Sequence, residues 1–403
     1  MKRLITALKR WGQLVFVTVI LLGAFSFAMF QGGFVSWFIF YMILPFVLYS
    51  LLLALYPLKS MKWEREVESA QLRRGDSLNS TIRLSRVFPF PLLYTVLSEQ
   101  ADDALLKAGA GRDRKMVLLG FRKQAEWTFK RDNMPRGEYI LEGIEIETAD
   151  FFGWVRKSRE VPLPQKVLVY PRITEIPYQP IDVRYDQGAS AAPFTFVKDT
   201  TMASGIRDYQ PGDRVSWIHW KSFARTQTMQ TKEFEARQSQ DLVLLDDRAQ
   251  SDKFELQVEL VASLLRSVVR SNSGLVYLSA GRSVDYFPNI RTEGEYQQVL
   301  THLAKVQPDA MELRAEEVSR RLQQLQPPLV LYVTARLTDE MASAVMRGNG
   351  QRRTCVCFVV MEAGEVLTAE ERAVHETASA RGMIVKTVRQ EEFAGVFKEV
   401  NHP

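Results

Sequence analysis

Residues 205–226, GIRDYQPGDRVSWIHWKSFART, set Arg207, Asp208, Asp213, Arg214, Lys221 and Arg225 among Tyr209, Trp217, Trp220 and Phe223, with His219 in the same stretch. Three kinds of chemistry are open to such a set. As a catalytic centre, Asp213 or Asp208 would orient His219 as a general base. The sequence fixes no Ser, Cys or Thr nucleophile beside them, and no glycine-rich phosphate cradle occurs in the chain. As a docking surface, Arg, Lys and Trp would meet a partner. As a clasp, Arg207 and Arg225 would pair with Asp208 and Asp213 between two domains.

Local turn chemistry bears on the geometry. Gln210-Pro211-Gly212-Asp213 suits a type II turn, with Pro presetting φ and Gly taking the positive φ that follows. Asp213 is then placed to cap a short helix holding Arg214, Trp217, Ile218 and Lys221. In this arrangement Trp220 anchors the segment and the long cation of Lys221 is free to reach outward.

A second candidate is Asp246-Asp247-Arg248-Ala249-Gln250-Ser251, directly after the apolar run LVLL. The carboxyl ends of strands in an open α/β sheet are where ligands bind. Asp246, Asp247 and Ser251 could hold part of an oxygen shell for a hard cation such as Mg²⁺, with Thr334 and Asp339 completing it. The pattern is degenerate. Counted from Asp246 the hydroxyl positions of an Asp-x-Ser-x-Ser motif carry Arg248 and Gln250, and counted from Asp247 they carry Ala249 and Ser251. An arginine at that point opposes a cation. Cys355 and Cys357 fall on one side of the strand-like run TCVCFVV with no second ligand pair, which suits reduced core thiols.

The elements that must position these residues divide into four parts. Residues 1–62 form a transmembrane hairpin: Trp11 to Leu58 contains no Asp, Glu, Lys or Arg, enough for two spans at about 12–30 and 34–56 separated by Gln31-Gly32-Gly33. Lys2, Arg3, Lys9 and Arg10 precede the first span, and Lys59, Lys62 and Arg65 follow the second. The positive flanks put both ends, and the domains beyond them, in the cytoplasm. A second span directly after the first argues against a signal peptide.

Residues 63–170 alternate apolar and polar positions in STIRLSR, PLLYTVLSE, AEWTFKRD, GEYILEGIEIETAD and QKVLVYPRI, the pattern of a small β-sandwich. Arg136-Gly137-Glu138-Tyr139 and Asp150-Phe151-Phe152-Gly153 read as turn and corner elements. Residues 171–240 make a connector carrying the signature stretch, its first part irregular and proline-rich. Residues 241–403 alternate apolar strands (QDLVLLDD, GLVYLSA, PLVLYVTA, TCVCFVV) with amphipathic helices (FELQVELVASLLRSVVR, EYQQVLTHLAKV, TDEMASAVMR, EEFAGVFKEV), an α/β domain with a mainly parallel sheet.

The chain carries 52 Lys and Arg against 47 Asp and Glu. Seven of those cations and one acid, Glu64, lie in the first 65 residues, leaving 45 basic and 46 acidic residues in the body. A near-neutral body removes the electrostatic footprint of a nucleic-acid binder.

The signature Gly205-x-Arg207-x-Tyr209-x-Pro211-Gly212-Asp213, followed by Ile218-x-Trp220-Lys221, Ala224-Arg225 and Lys232-Glu233-Phe234-Glu235, closely resembles that of the bacterial family called domain of unknown function 58, the YeaD-like family. Paired N-terminal spans, a β domain with Arg136-Gly137-x-Tyr139, Asp150-x-x-Gly153 and Val169-Tyr170-Pro171-Arg172, and a C-terminal α/β region match that family's layout. The resemblance implies a von Willebrand factor A-like C-terminal domain. It further implies a MoxR-type AAA+ ATPase partner, often with a membrane transglutaminase-like protein, and it marks Arg207, Tyr209, Gly212, Asp213, Trp220, Lys221 and Arg225 as the family's positions.

The resulting expectation is a membrane-anchored cytoplasmic adaptor without a catalytic constellation or required cofactor, which presents its A-like domain to the ATPase. The alternatives are a metal-dependent hydrolase using Asp246, Asp247 and Asp213, and a purely structural membrane scaffold.

Overall fold

The computed structural model describes residues 2–68, 71–102, 105, 114–179, 198–210, 218–236, 242–271, 273–308, 314–349 and 354–401. The chain divides into two compact units, residues 1–170 and 171–403.

The first unit begins with helices α1 (Lys2–Gln31) and α2 (Phe34–Leu55). Gly12–Gln31 and Phe34–Leu55 are long and apolar enough to cross a membrane, within a residue of the spans read from composition. Gly32 and Gly33 both take positive φ, which lets the chain reverse in two residues.

After α2 the chain forms two sheets. One has the order β1 (Lys62–Val67), β3 (Leu78–Ser85), β6 (Gln124–Arg131). The other has the order β2 (Leu72–Arg73), β8 (Arg156–Tyr170), β7 (Gly137–Ala149), β4 (Tyr94–Ala101), β5 (Arg114–Val117). The sequence reading missed β1 and β5 and found only the C-terminal part of β8. β1 and β5 are short and charge-rich, and much of β8 alternates with charge on its outer face, so apolar runs do not announce them.

Between the sheets the inner faces bury Trp63, Ile82, Leu84, Leu97, Phe129, Ile144 and Ile146. They also bury a polar centre. Glu99 takes salt bridges from Arg65 at 3.1 Å and Arg131 at 3.0 Å, and accepts the Ser80 hydroxyl at 2.9 Å. Arg65 has a second task. The register shifts between Leu141 and Gly143, and the Arg65 guanidinium donates to the carbonyls of Leu141 (3.0 Å), Gly143 (3.1 Å) and Leu163 (2.7 Å) around that bulge. Only glycine fits at 143, because a Cβ there would lie 2.3 Å from the Val161 carbonyl oxygen.

Of the two predicted corners, Asp150-Phe151-Phe152-Gly153 is a turn, whereas only Arg136 of the other precedes the strand and Gly137, Glu138 and Tyr139 already belong to β7. The Tyr139 hydroxyl donates to the Pro135 carbonyl at 2.9 Å, pinning the start of β7. At the β7–β8 corner the Asp150 amide donates to Val155 O at 3.1 Å.

That second corner also does what sequence gave no sign of: it grips α2. The Ser50 hydroxyl donates to Asp150 Oδ2 at 2.5 Å. Lys157 Nζ donates to the carbonyls of Leu53 (3.2 Å), Ala54 (3.0 Å) and Tyr56 (2.5 Å), and Arg159 Nη1 to Leu58 O (2.5 Å). One apolar core runs from Val17, Val47 and Leu53 on the helices to Ile82, Leu97 and Val155 in the sheets.

The second unit is built on a six-stranded sheet: β13 (Val284–Ile290), β12 (Leu275–Ala280), β11 (Leu242–Asp247), β14 (Leu329–Thr334), β15 (Thr354–Met361), β16 (Met383–Arg389). All neighbours are parallel except the edge strand β13. In the domain's own strand count this is the order 3-2-1-4-5-6 of doubly wound sheets.

β11, β12 and β14 are buried at every position, which is why they read as continuous apolar runs. β13 and β16 went unread because their residues are mostly half-exposed. The helices Ala315–Leu325 and Ala369–Ala380 also went unread; their polar composition hides short apolar stripes. The last predicted helix, EEFAGVFKEV, is split into a 3-10 turn, Gln390–Gly395, and a short α-helix, Val396–Asn401. Cys355 and Cys357 are free, buried thiols on β15, and burial pushes the Cys355 thiol up to about 12.

Removing the shared acid of the polar centre strands two buried guanidinium groups. Glu99→Gln should cost about 3–5 kcal/mol. Arg83→Gln, which breaks exposed pairs to Glu66 and Glu126, should cost no more than about 1 kcal/mol. Thermal unfolding of the full chain and both variants checks the contrast.

Candidate functional site

The signature segment folds as an antiparallel pair with a helical cap. β9 (Lys198–Asp208) pairs with β10 (Gln230–Ala236), Arg207 standing opposite Thr231 and Asp208 opposite Gln230. β9 thus begins inside the stretch read from sequence as irregular. Gly212, Asp213, Arg214 and Trp217 lie outside the described residues.

Of the helix that sequence placed after Asp213, the described part departs at Ile218. Ile218 bridges to Thr231 as a strand residue, and the His219 amide donates to Gln230 O at 2.8 Å. Helix α3 (Trp220–Thr226) starts only then, with His219 as its N-cap: Nδ1 accepts the Ser222 amide at 3.1 Å. Pairing with β10 holds Ile218 extended, so the cap is supplied one residue later by the side chain already in place. The helix stops at Gln227, which takes a left-handed conformation at φ 58°. With Nδ1 committed to the cap, a His219 base would have only Nε2 to offer.

Ile218 and Thr231 are buried beneath this cap. The side chains above them face outward. Trp220 is 56% exposed, and Lys221 and Arg225, four apart on one helical face, are exposed as well. Trp220 meets Phe223 edge to face at 6.2 Å. Arg207 and Tyr209 are half-buried, and Arg207 Nη1 donates to the backbone carbonyl of Asp208 at 3.1 Å. Sequence placed Trp220 as an anchor; more than half of it meets solvent instead.

The second candidate lies at the carboxyl end of β11 and is turned inward. Neighbours on a strand point to opposite faces, so Asp246 and Asp247 do not converge on one ion. Asp247 Oδ2 accepts the Tyr332 hydroxyl at 2.5 Å, while Gln257, on helix α4 (Phe254–Arg270), donates to Asp247 O at 2.5 Å and to Val333 O at 3.3 Å.

Asp246 faces Tyr277 and Ser279, and none of the three makes a hydrogen bond of normal geometry. Both carboxylates are fully buried, and desolvation raises both pKa values, that of Asp246 to about 7. Arg248 turns to Asp285 on β13 at 2.7 Å and to Ser283 O at 2.9 Å. Ser251 Oγ accepts the Lys253 amide, Thr334 Oγ1 donates to Arg336 O, and Asp339 pairs with Arg381. Among the described residues no three or more His, Cys, Asp or Glu side chains gather as a metal cage.

Residues 205–393 match the model of a family described as "Protein of unknown function DUF58". The chain is also 34% identical to the uncharacterized protein YeaD of Bacillus subtilis (strain 168), over 94% of this chain and 98% of that protein. The chain belongs to the DUF58 family.

Solved structures give only distant likenesses to this DUF58 chain. The CARDB domain of the PF1109 protein of Pyrococcus furiosus, in complex with di-metal ions, matches at TM-score 0.19 and 14% identity, covering 27% of this chain and 91% of that one. Proximal thread matrix protein 1 of the mussel byssus matches at TM-score 0.29 and 11% identity, covering 40% and 46%. Neither likeness is close enough to bear on fold or function.

Of the signature's described members, Trp220, Lys221 and Arg225 therefore lie on the displayed cap of the β9–β10 pair and Arg207 and Tyr209 at the end of β9, while Asp246 and Asp247 of the DUF58 chain lie at a sealed sheet end. The missed participants at that sheet end are Tyr277, Tyr332 and Gln257. In sequence they are unremarkable, two tyrosines inside apolar runs and a glutamine inside an amphipathic helix.

A buried acid with a raised pKa gives a definite pH dependence. The folded state holds a proton on Asp246 up to about pH 7, whereas the unfolded chain releases it near pH 4. Between these values the folded state binds more protons, so stability falls as pH rises and levels off above about 7. The full difference is on the order of 4 kcal/mol at most, at 1.36 kcal/mol per unit. Urea unfolding from pH 5 to pH 8 should show the part of this loss that falls above pH 5, and Asp246→Asn should remove the share that Asp246 contributes while leaving that of Asp247.

Proposed function

We propose that this DUF58 protein is a membrane-anchored protein-interaction module that works with a MoxR-type AAA+ ATPase in assembling or remodelling other proteins. Helices α1 and α2 anchor it, both termini and both domains lie in the cytoplasm, and a transglutaminase-like membrane protein is a further component of the same assembly. The α/β domain is von Willebrand factor A-like in this reading, supported by the 3-2-1-4-5-6 strand order with its antiparallel third strand.

The observation that carries the reading is the disposition of the signature. Trp220, Lys221 and Arg225 stand outward on a capped helix. An aromatic flanked by cations is the composition of an interface hot spot. Two of the three acids of the hydrolase alternative, by contrast, are spent inside the fold, Asp247 on Tyr332 and Asp246 on a closed face of the sheet, while Asp213 lies outside the described residues. A near-neutral body supports a protein partner over nucleic acid.

Two outcomes test the proposal. Trp220→Ala and Lys221→Ala should each weaken capture of the ATPase, while changing the stability of the full chain by no more than about 0.5 kcal/mol. A variant that unfolds readily would make the segment structural and remove the docking role. For topology, a reporter fused after Pro403 should report the cytoplasm, and activity on the far side of the membrane would reverse the orientation and exclude an intracellular ATPase as partner.

A further inference from the structure

Among the described residues, the most exposed large apolar side chains of the sandwich gather toward one end of its long axis, the end that meets α2. Phe88 on the β3–β4 loop is 59% exposed, Phe121 on the β5–β6 loop 70%, and Phe151 and Phe152 at the β7–β8 corner 61% and 56%. Nothing in the sandwich needs them there. They are held in place all the same. Arg86 ties the first two loops together, donating to the carbonyls of Phe90 (2.7 Å), Gly120 (2.6 Å) and Arg122 (2.6 Å). Tyr56 and Tyr49 of the helical end then fasten the first loop, donating to Phe88 O and Pro91 O at 2.9 Å each.

The β7–β8 corner goes further and runs alongside the helix. Phe46 packs edge-on against Phe151 (5.7 Å) and Phe152 (5.4 Å), and Trp154 lies 6.4 Å from Phe16 of α1. Phe46 precedes the end of α2 at Leu55 by nine residues, about 13 Å at 1.5 Å per residue. Ser50, which holds Asp150, precedes it by five, about 7 Å. The corner therefore lies beside an apolar stretch of α2 whose own outward residues include Leu48 and Leu52.

We propose that the Asp150–Trp154 corner is a lipid-inserting wedge: Phe151 and Phe152 enter the acyl region beside α2, while Phe88 and Phe121 rest at the headgroup boundary. The proposal rests on the reading of α1 and α2 as membrane spans. Lipid is the occupant because the patch is continuous with the lipid-facing flank of α2, with no step between them for a separate partner's edge.

The chemistry of the corner fits. A non-helical segment enters an apolar medium only with its polar groups satisfied. Here the Asp150 amide bonds Val155 O, the Gly153 amide bonds Asp150 O at 3.4 Å, and Asp150 Oδ2 takes Ser50, leaving the buried Oδ1 of the same carboxylate as the exception. Trp154 meets Phe16, about 6 Å along α1 from Gly12, and so stands at the level where tryptophan rings collect in membranes. Exposed Lys59, Lys62, Arg122, Lys123 and Arg156 flank the patch with charge suited to anionic headgroups.

The test uses the full chain in vesicles of phosphatidylethanolamine and phosphatidylglycerol, with one fluorophore attached at a time to Phe152→Cys, Phe121→Cys, Phe38→Cys or Asp132→Cys. Cys355 and Cys357 are buried and stay unlabelled. Asp132 lies at the far end of β6, and Phe38 on the exposed side of α2.

The expected result is quenching of the Phe152 probe by nitroxides on the lipid acyl chains, to the extent seen at Phe38. The Phe121 probe should be quenched by headgroup-level nitroxides, and the Asp132 probe only by an aqueous nickel chelate. A Phe152 probe quenched by the chelate while Phe38 is quenched by lipid overturns the wedge and leaves the anchor standing. Protection from both quenchers would mean a protein covers the patch, which also overturns it. Loss of lipid quenching at Phe38 itself overturns the anchor and the wedge together.

Discussion

The last carbonyls of an α-helix have no partners within the helix, and in this chain they are satisfied from a strand about a hundred residues away. Lys157 spans the carbonyls of Leu53, Ala54 and Tyr56, and Arg159 takes that of Leu58. Cations at a helix C-terminus also suit its dipole. Much of the first unit follows from making this junction possible. β8 must present alternate residues 157 and 159 to the helix, so its register with β7 is fixed. The slack in that register is taken up at the Gly143 bulge, and the bulge is filled by Arg65. Arg65 in turn requires Glu99. A surface attachment and an interior charge cluster are thus two ends of one chain of constraints.

The second unit shows the opposite economy of polar groups. Doubly wound sheets leave a crevice at their carboxyl ends. Here Asp246, Asp247 and Arg248 occupy that place and are turned to internal use: Asp247 to Tyr332, Arg248 to Asp285, and Asp246 to a face with only Tyr277 and Ser279 for company. The groups that chemistry would need are consumed in closing the sheet. The described part of the family signature stands on a separate antiparallel pair, where Trp220, Lys221 and Arg225 are exposed to solvent.

Legibility in the sequence followed burial. The spans, the continuous strands β11, β12, β14 and β15, and the long helix Phe254–Arg270 have apolar patterns that one chain segment states by itself. β13, β16 and β1 do not, because their partners supply much of what defines them. The capping of α3 failed to show for a related reason. Asp213 is a good cap by type, but Ile218 is drawn into pairing with Thr231, and the helix can begin only beyond it. The corner at Asp150 was legible as a turn and illegible as a grip, since its partner Ser50 is a single hydroxyl in an apolar run, far away in sequence.

That distance has a consequence for synthesis. Ser50 and Asp150 are separated by 100 residues, which a ribosome takes about ten seconds to add at roughly 5–20 residues per second. For that long the helical hairpin lacks the grip of the β7–β8 corner. The Ser50 hydroxyl is provided for meanwhile, because it also donates to Phe46 O at 3.0 Å within its own helix. Nearer the helix end, local donors serve in the same way: Leu53 O accepts the Tyr56 amide at 3.2 Å, Pro57 O the Ser60 amide at 3.1 Å and Leu58 O the Met61 amide at 3.5 Å. The grip of Lys157 and Arg159 is thus added to a helix end that already has local partners, and it arrives only after most of the strands of its own unit have been made.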